Sequence, residues 1–522
     1  MFLLSTAEMR ECDRRTITQF GTPGPVLMER AGWGIYAEIR RRFDRVNRRR
    51  TWIVCGRGNN GGDGLVLARL LHDGGYNPRV MLTGPPEEIS GDAGLQISPL
   101  VERGIPLEPI APEGLTDLAR LERGDLLIDA IFGTGFKGKL SGEMADAVSA
   151  INLSPATVIA IDIPSGLSAD HGRVDGPAVR ADLTIAIASP KRSFVFYPAR
   201  EHVGEWCVVD IGIPAEAMAA VMPVVRLASP DDVSARFPSF PRSAHKGTRG
   251  KIVIAGGSPG LTGAPCLAAL AAARSGAGLV RVAVARSLNP IIEAKLTEPM
   301  TFPLAETKAG TLSPRSAAFI LSLASEWGCL VLGPGMGRHP ETDRLVRRLY
   351  DSWSGPLVVD ADGLNALARL GIPPPSSGRP IRVLTPHPGE MARISGLAIG
   401  EILADPVVAA RGFAMEQGVV LVLKGAPTTI ASPDGQVIVS STGNPGLATG
   451  GSGDVLSGMI GTFLAQGISP PWAAACAAYL HGLAADIASR KRTERAMTPG
   501  DVIESLGPAW AALTGQAGKN GV

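Results

Sequence analysis

The six cysteines, Cys12, Cys55, Cys207, Cys266, Cys329 and Cys476, are scattered, and no Cys-x-x-Cys spacing occurs. That spacing argues against a disulfide framework or a zinc site and fits a reducing cytoplasm. Cys55, Cys207 and Cys329 fall in apolar runs that read as strands, where a thiol packs as a small core residue. Net charge is scarce as well, at +2 over 522 residues, which removes the electrostatic case for a nucleic-acid or membrane partner. The local basic stretch Arg40–Arg42 and Arg48–Arg50 reads as a solvated helix end and loop. No apolar run reaches the roughly 18 residues of a membrane span, and Met1-Phe2-Leu3-Leu4 turns polar too soon for a signal peptide. Short-period repeats and long low-complexity segments are missing too.

What is present is an alternation of short apolar strands and helical patterns, with a hydrophobic fraction of 45%. Strands are expected at 51–55, 79–82, 126–131, 157–163 and 183–188, rich in Val, Ile and Leu, as suits parallel strands buried on both faces. Leu27, Ala31, Ile35 and Ile39 share one helical face. The alternation stops near Pro214 and restarts at 251–255, followed by 279–285, 329–332, 356–360, 382–384, 419–423 and 436–440. The reading is α/β with two domains: a Rossmann-like doubly wound sheet over 1–222, a second α/β domain over 223–515, and a tail at 516–522.

Chemistry gathers where strands end, because open α/β sheets bind ligands beyond their carboxyl edges. The strand 51–55 runs into Gly56-Arg57-Gly58-Asn59-Asn60-Gly61-Gly62-Asp63-Gly64, read as a phosphate-cradling loop before a helix over 65–72. Two further strand ends carry Phe132-Gly133-Thr134-Gly135-Phe136-Lys137-Gly138 and Asp162-Ile163-Pro164-Ser165-Gly166. Asp129 and Asp162 interrupt apolar strands, which is costly unless each carboxylate is paired or binds a cation. An Asp that caps a neighbouring loop is the simpler alternative.

These segments together resemble the NAD(P)H-hydrate epimerase family over almost all of 1–214. The resemblance implies that Asn60, Asp129 and Ser165 hold a potassium ion, for which oxygen ligands are suited. It implies that Asn59, Asn60, Gly61, Gly62, Asp63, Gly133, Thr134, Gly135, Phe136, Lys137, Gly138, Lys139 and Asp162 contact the hydrated dinucleotide. The implied reaction interconverts the R and S hydroxyl epimers at C6 of the reduced nicotinamide ring. Asp129 and Lys139 are the proton-transfer candidates on that resemblance alone.

In the second half, Asn444-Pro445-Gly446-Leu447-Ala448-Thr449-Gly450-Gly451-Ser452-Gly453-Asp454 precedes an apolar helix. The first amides of such a helix form an anion hole, and Asp454 in its first turn is placed to take a proton from an attacking hydroxyl. Helix capping is the plainer role for that residue. Lys424-Gly425-Ala426-Pro427-Thr428, Gly333–Gly337 and Thr385–Glu390, with His387, also follow strands. Asp360 and Asp362 fit either a magnesium site or a turn.

This half resembles the ribokinase-like fold, and within it the ADP- or ATP-dependent NAD(P)H-hydrate dehydratases, from about Ser229 to Ala511. Ser243–Gly247, Gly256–Ser258 and the motifs above carry the resemblance. It implies substrate contacts from Ala264, Gly337, His387 and Asp454. Nucleotide contacts are implied for Lys424, Gly425, Ala426, Pro427, Thr428 and Gly453, with Mg2+ and ADP as donor. Ser452 stands where Thr is commoner, and Thr248-Arg249 replaces an acidic residue and an aromatic in the entry loop. The expected protein is a bifunctional isomerase and lyase that repairs NADHX and NADPHX in the cytoplasm, as a homo-oligomer. The alternative is a ribokinase-like small-molecule kinase with an N-terminal ligand-sensing or scaffold domain.

Overall fold

In the computed structural model, which describes residues 1–43, 50–375 and 380–515, the chain divides into two compact units. One is Phe2–Val225; the other is Met1 with Arg226–Val522. Arg48, Arg49 and the tail at 516–522 lie outside the described residues.

The first unit is built on a seven-stranded sheet: β1 (Thr51–Cys55), β2 (Pro78–Leu82), β3 (Leu107–Pro109), β4 (Leu126–Ala130), β5 (Thr157–Ile161), β6 (Leu183–Ile187) and β7 (Glu205–Val209). Their order is β3-β2-β1-β4-β5-β6-β7, and every pairing is parallel. The order reverses between β1 and β4, so the loops after those two strands part and open a crevice. Apolar residues cover both faces of the sheet, Ile53, Leu65 and Ile128 in one cluster and Trp52, Leu127 and Val158 in another.

The glycine-rich segment after β1 is not a loop throughout. The helix Asn59–Asp73 begins at Asn59 with Gly58 as its N-cap, so Asn59–Gly64 are already helical. Glycine serves close packing there. A Cβ on Gly61 would stand 1.9 Å from the Gly56 carbonyl oxygen, and one on Gly64 would stand 2.7 Å from the Ala130 side chain. The helix therefore presses its first turns onto the sheet, at a helix-propensity cost of about 1 kcal/mol per glycine.

The second unit carries a ten-stranded sheet. Its strands are β8 (Val225–Leu227), β9 (Lys251–Ala255), β10 (Leu279–Ala285), β11 (Met300–Leu304), β12 (Gly328–Leu332), β13 (Leu357–Val359), β14 (Arg382–Leu384), β15 (Val420–Leu423), β16 (Thr428–Ala431) and β17 (Val437–Ser440). The order is β11-β10-β9-β12-β13-β14-β15-β16-β17-β8. Pairings from β11 through β15 are parallel, and β15-β16-β17 is an antiparallel meander. The three-residue strands β3 and β8, and β11 with its internal Pro303, are too short or too polar to stand out in the sequence. The order reverses again between β9 and β12.

The helix Ser452–Ala465 is buried along most of its length and packs on the helix Gly263–Arg274. Gly458 allows that approach: a Cβ there would lie 2.1 Å from the Ala268 carbonyl oxygen. Gly458→Ala should therefore lower stability by about 1–3 kcal/mol through overpacking. Gly412, exposed inside the helix Pro406–Gln417 with nothing within 4 Å of an added Cβ, should respond oppositely. Gly412→Ala is expected to gain about 0.5–1 kcal/mol from backbone entropy. Urea unfolding of both variants checks the pair; equal effects would contradict the packing account.

Candidate active sites

In the first unit a cavity of about 1010 Å³ opens beyond the carboxyl ends of β1, β4 and β5. Asn59, Asn60, Asp63, Gly133, Thr134, Gly135, Phe136, Lys137 and Asp162 line it, as do Arg10, Asp13 and Arg57. Gly61 and Gly62 sit one layer back, where the helix start meets its neighbours: a Cβ on Gly62 would strike the Met28 side chain. Gly138 and Lys139 are exposed and are not among the lining residues.

Asp129 and Ser165 form a buried unit behind the Phe132–Gly135 wall. Ser165 donates to Asp129 twice, from its backbone N (2.8 Å) and its Oγ (2.6 Å), and Ile131 N donates at 3.2 Å. Phe132 N in turn donates to Ser165 Oγ at 2.9 Å. Burial pushes Asp129 up to about 6 in spite of these bonds. Asn60 is buried, and neither its Oδ1 nor its Nδ2 has a hydrogen-bond partner among the described residues. An orphaned amide of this kind costs energy unless something satisfies it, which makes Asn60 a candidate binding position.

Asp162 follows β5 with a φ of +64°, in the left-handed region that favours glycine. Ile185 O accepts from its N at 2.8 Å, and its Oδ1 pairs with Lys191 Nζ. Lys191 is 1% exposed, and Ile187 O (3.1 Å) and Ser189 O (2.8 Å) also accept from it. Neither Lys191 nor Asp13 stands out in the sequence as a site residue. Pro190-Lys191 closely follows β6, a fourth strand end on the same sheet edge, which is the signal that points to Lys191. Asp13 lies mid-helix in Thr6–Thr18, before the first strand, and carries no such signal.

In the second unit the loops after β9, β12, β13, β14 and β15 adjoin. Ala264 is the second residue of the helix Gly263–Arg274, and a Cβ on Gly335 would lie 3.1 Å from its side chain. Gly337 N donates to Asp362 Oδ2 at 2.9 Å. Asp360, next along β13, is buried and receives Lys424 Nζ on Oδ1 at 2.9 Å. Lys424 also approaches Glu390 Oε2, at 3.6 Å. Burial opposes the lysine's charge, and Asp360 and Glu390 together overcome that, holding it above its usual value. Gly425–Pro427 form the turn between β15 and β16, and Thr428 opens β16.

His387 caps the helix Pro388–Ser395: its Nδ1 accepts from Gly389 N (3.0 Å), and Glu390 answers by accepting from His387 N (2.9 Å). Burial lowers its pKa. A neutral ring with Nδ1 accepting carries its proton on Nε2, so His387 presents a donor.

Asp454 lies in the first turn of the helix Ser452–Ala465, whose N-cap Gly451 has a φ of +101°. A Cβ on the adjacent Gly453 would stand 3.1 Å from Lys424 Nζ and 3.8 Å from Asp360 Oδ2, so helix start, lysine and carboxylate face one another. Burial first, and then the charge of Asp360, push Asp454 up to about 7, with Lys424 opposing. A carboxyl poised near neutrality beside a helix N-terminus suits proton abstraction next to an anion.

Taken together, the two units present two separate sites, each at the switch point of a mostly parallel sheet, which is the architecture of a two-site α/β enzyme. Residues 252–507 match the family model described as NAD(P)H-hydrate dehydratase, and residues 24–193 match the one described as YjeF-related protein N-terminus. The bifunctional NAD(P)H-hydrate repair enzyme Nnr of Moorella thermoacetica is 45% identical over 97% of this chain and 96% of its own. Its namesake from Thermofilum pendens is 37% identical over 98% and 97%. A solved structure of the ADP/ATP-dependent NAD(P)H-hydrate dehydratase from Bacillus subtilis, co-crystallised with ATP/Mg2+, is 28% identical, covers 56% of this chain and 99% of its own, and aligns with a TM-score of 0.48. The chain belongs to the bifunctional NAD(P)H-hydrate repair enzyme family. A small-molecule kinase with a scaffold domain is not favoured, because the likeness to these two-activity proteins runs through both units.

The raised pKa of Asp454 has a stability consequence with a definite sign. Its folded value lies above the ordinary 3.8, so the folded state holds the extra proton between the two values and loses stability as pH rises through that interval. Asp454→Asn removes the cost. The variant should match wild type near about pH 4 and exceed it by on the order of 1 kcal/mol near about pH 8. Urea unfolding at the two pH values measures this, and a pH-independent difference would contradict it.

Proposed function

We propose that the first unit epimerises R- and S-NAD(P)HX at C6, and that the second dehydrates the S epimer to NAD(P)H at the expense of ADP. Hydration of the ring yields both epimers, so the two activities on one chain make clearance complete. The observation that carries the second activity is the near-neutral Asp454 facing Lys424 and Asp360 across the start of the helix Ser452–Ala465.

In the dehydratase site Asp454 takes the proton of the C6 hydroxyl, whose oxygen attacks the terminal phosphoryl of ADP and releases AMP. The amides at the start of that helix receive the transferring phosphoryl, and Lys424 with the Gly425–Thr428 turn holds the nucleotide phosphates. Phosphate is a far better leaving group than hydroxide. It departs from C6 as the ring-nitrogen electrons push, and loss of a C5 proton restores the dihydropyridine. Ala264, Gly337 and the Nε2–H of His387 orient the ring.

Asp360 turns Oδ1 to Lys424 and has Oδ2 toward Gly453, where it suits a magnesium ion carried with the nucleotide. Asp362 accepts from Gly337 N and Asn365 Nδ2 and so ties the Gly333–Gly337 loop to its own helix. Bound magnesium supplies neutralisation of phosphate charge. In the epimerase site the orphaned Asn60 amide, with Asp129 and Ser165, offers oxygen donors that fit potassium. The ion would supply a fixed positive charge at that position. Arg10, Arg57 and Lys137 give the cavity wall the charge a dinucleotide's phosphates need.

The test is recovery of dihydronicotinamide absorbance from mixed R- and S-NADHX with ADP, magnesium and potassium. Wild type should recover all of it, and Asp454→Asn should fall by at least about 100-fold in rate. Recovery that stops at the S fraction would remove the epimerase reading, and no recovery with either ADP or ATP would remove the dehydratase reading.

A further inference from the structure

We infer that Asp162 and Asp13 are the two proton-transfer groups of the epimerase site, and that Lys191, wholly buried behind Asp162, is the residue that positions it. The inference rests on the reading of the first unit as an epimerase acting at a C6 hydroxyl.

Geometry separates these residues from Asp129 and Lys139. Asp129 is fully buried behind the cavity wall, and three donors already engage its two oxygens. Lys139 is exposed and outside the lining. Asp162 and Asp13 line the cavity from opposite sources, the end of β5 and the helix Thr6–Thr18. Asp162 turns Oδ1 inward to Lys191 and Ile187 N, while its Oδ2 lies 3.4 Å from where a Cβ of Gly133 would stand, on the cavity wall. A lysine has three N–H donors, and Lys191 gives them to Asp162, Ile187 O and Ser189 O. None remains for a ligand, so Lys191 acts through Asp162. The left-handed backbone of Asp162 is strain retained where a side chain must be aimed.

The charges sort the two roles. Asp13, Asp63, Asp162 and Lys191 act on one another, three carboxyls to one ammonium. Lys191 bonds directly to Asp162, which makes it the ion-paired carboxyl of the set. Burial first, then the charge of Asp162, push Asp13 up to about 6, and fully buried Asp63 is raised further. Two carboxyls that line one cavity in such unlike surroundings divide into an acid and a base. Asp13 in its acid form protonates the C6 hydroxyl. The C6–O bond breaks, water leaves, and the N1 lone pair becomes the C6=N1 bond of an iminium. Water then adds to the opposite face and gives its proton to Asp162. Asp13 ends ionised and Asp162 protonated, and the C6–H bond is never broken. Exchange with solvent in the cavity returns the proton from Asp162 to Asp13 before the next turnover, and turnover from the other epimer runs the relay backward.

The experiment follows relaxation of pure S-NADHX toward the R/S mixture by chromatography, without ADP, in water enriched in heavy oxygen. Wild type should place one solvent oxygen at C6 per inversion. Asp162→Asn and Asp13→Asn should each slow inversion by at least about 100-fold. ADP-dependent dehydration of the S epimer by the same chains should stay unchanged, which shows that the second unit is intact. Asp13→Glu, which keeps the carboxyl, should retain at least about a tenth of the rate, so a loss in Asp13→Asn alone is chemical and not a folding defect. Lys191→Met should lower kcat while KM holds, with partial rescue by Lys191→Arg. Wild-type inversion no faster than buffer would overturn the epimerase reading itself. Inversion by wild type, with Asp162→Asn or Asp13→Asn equally fast, would overturn this assignment alone, and so would inversion without oxygen exchange.

Discussion

One lysine set among three carboxyls, at the carboxyl edge of a parallel sheet, is the constraint on which both sites depend. In the first unit Lys191 pairs with Asp162 near Asp13 and Asp63; in the second Lys424 pairs with Asp360 and Glu390 near Asp454. A single ammonium cannot compensate three buried negative charges, so a proton is retained near neutral pH. Burial pushes Asp13 up to about 6 and Asp454 up to about 7.

The sheets make that crowding affordable. Parallel strands aim their carboxyl ends one way, and the order reversals at β1/β4 and β9/β12 open a crevice where loops from several strands meet. Glycines then let helices approach. Gly61 and Gly64 bring the helix Asn59–Asp73 onto β1 and β4, and Gly458 brings the helix Ser452–Ala465 against Gly263–Arg274. Helix starts are thereby held at the two crevices.

Much of this was legible in the chain because it is written in local pattern. Continuous Val, Ile and Leu runs mark β1, β4, β5 and β12, and Gly451-Ser452-Gly453-Asp454 marks a helix start with an acid in its first turn. The glycine cluster after β1 misled as a loop, since only the sheet it packs against reveals why a helix would carry so many glycines. Lys191 and Asp13 stayed hidden for a related reason. Their meaning comes from contacts across elements far apart in sequence, and a lysine after a strand or an aspartate in an amphipathic helix is ordinary until its neighbours are known. The reverse holds for Lys139, which sits inside a striking motif yet lies exposed outside the cavity lining.

The central claim is that charge crowding in the second unit's site tunes one carboxyl to act near neutral pH. Carboxyl carbon NMR on protein labelled at aspartate, titrated with pH, measures that directly, with the resonance of Asp454 identified by its loss in Asp454→Asn. A midpoint about 7 is the predicted result. A midpoint at the ordinary aspartate value of 3.8 would contradict the account.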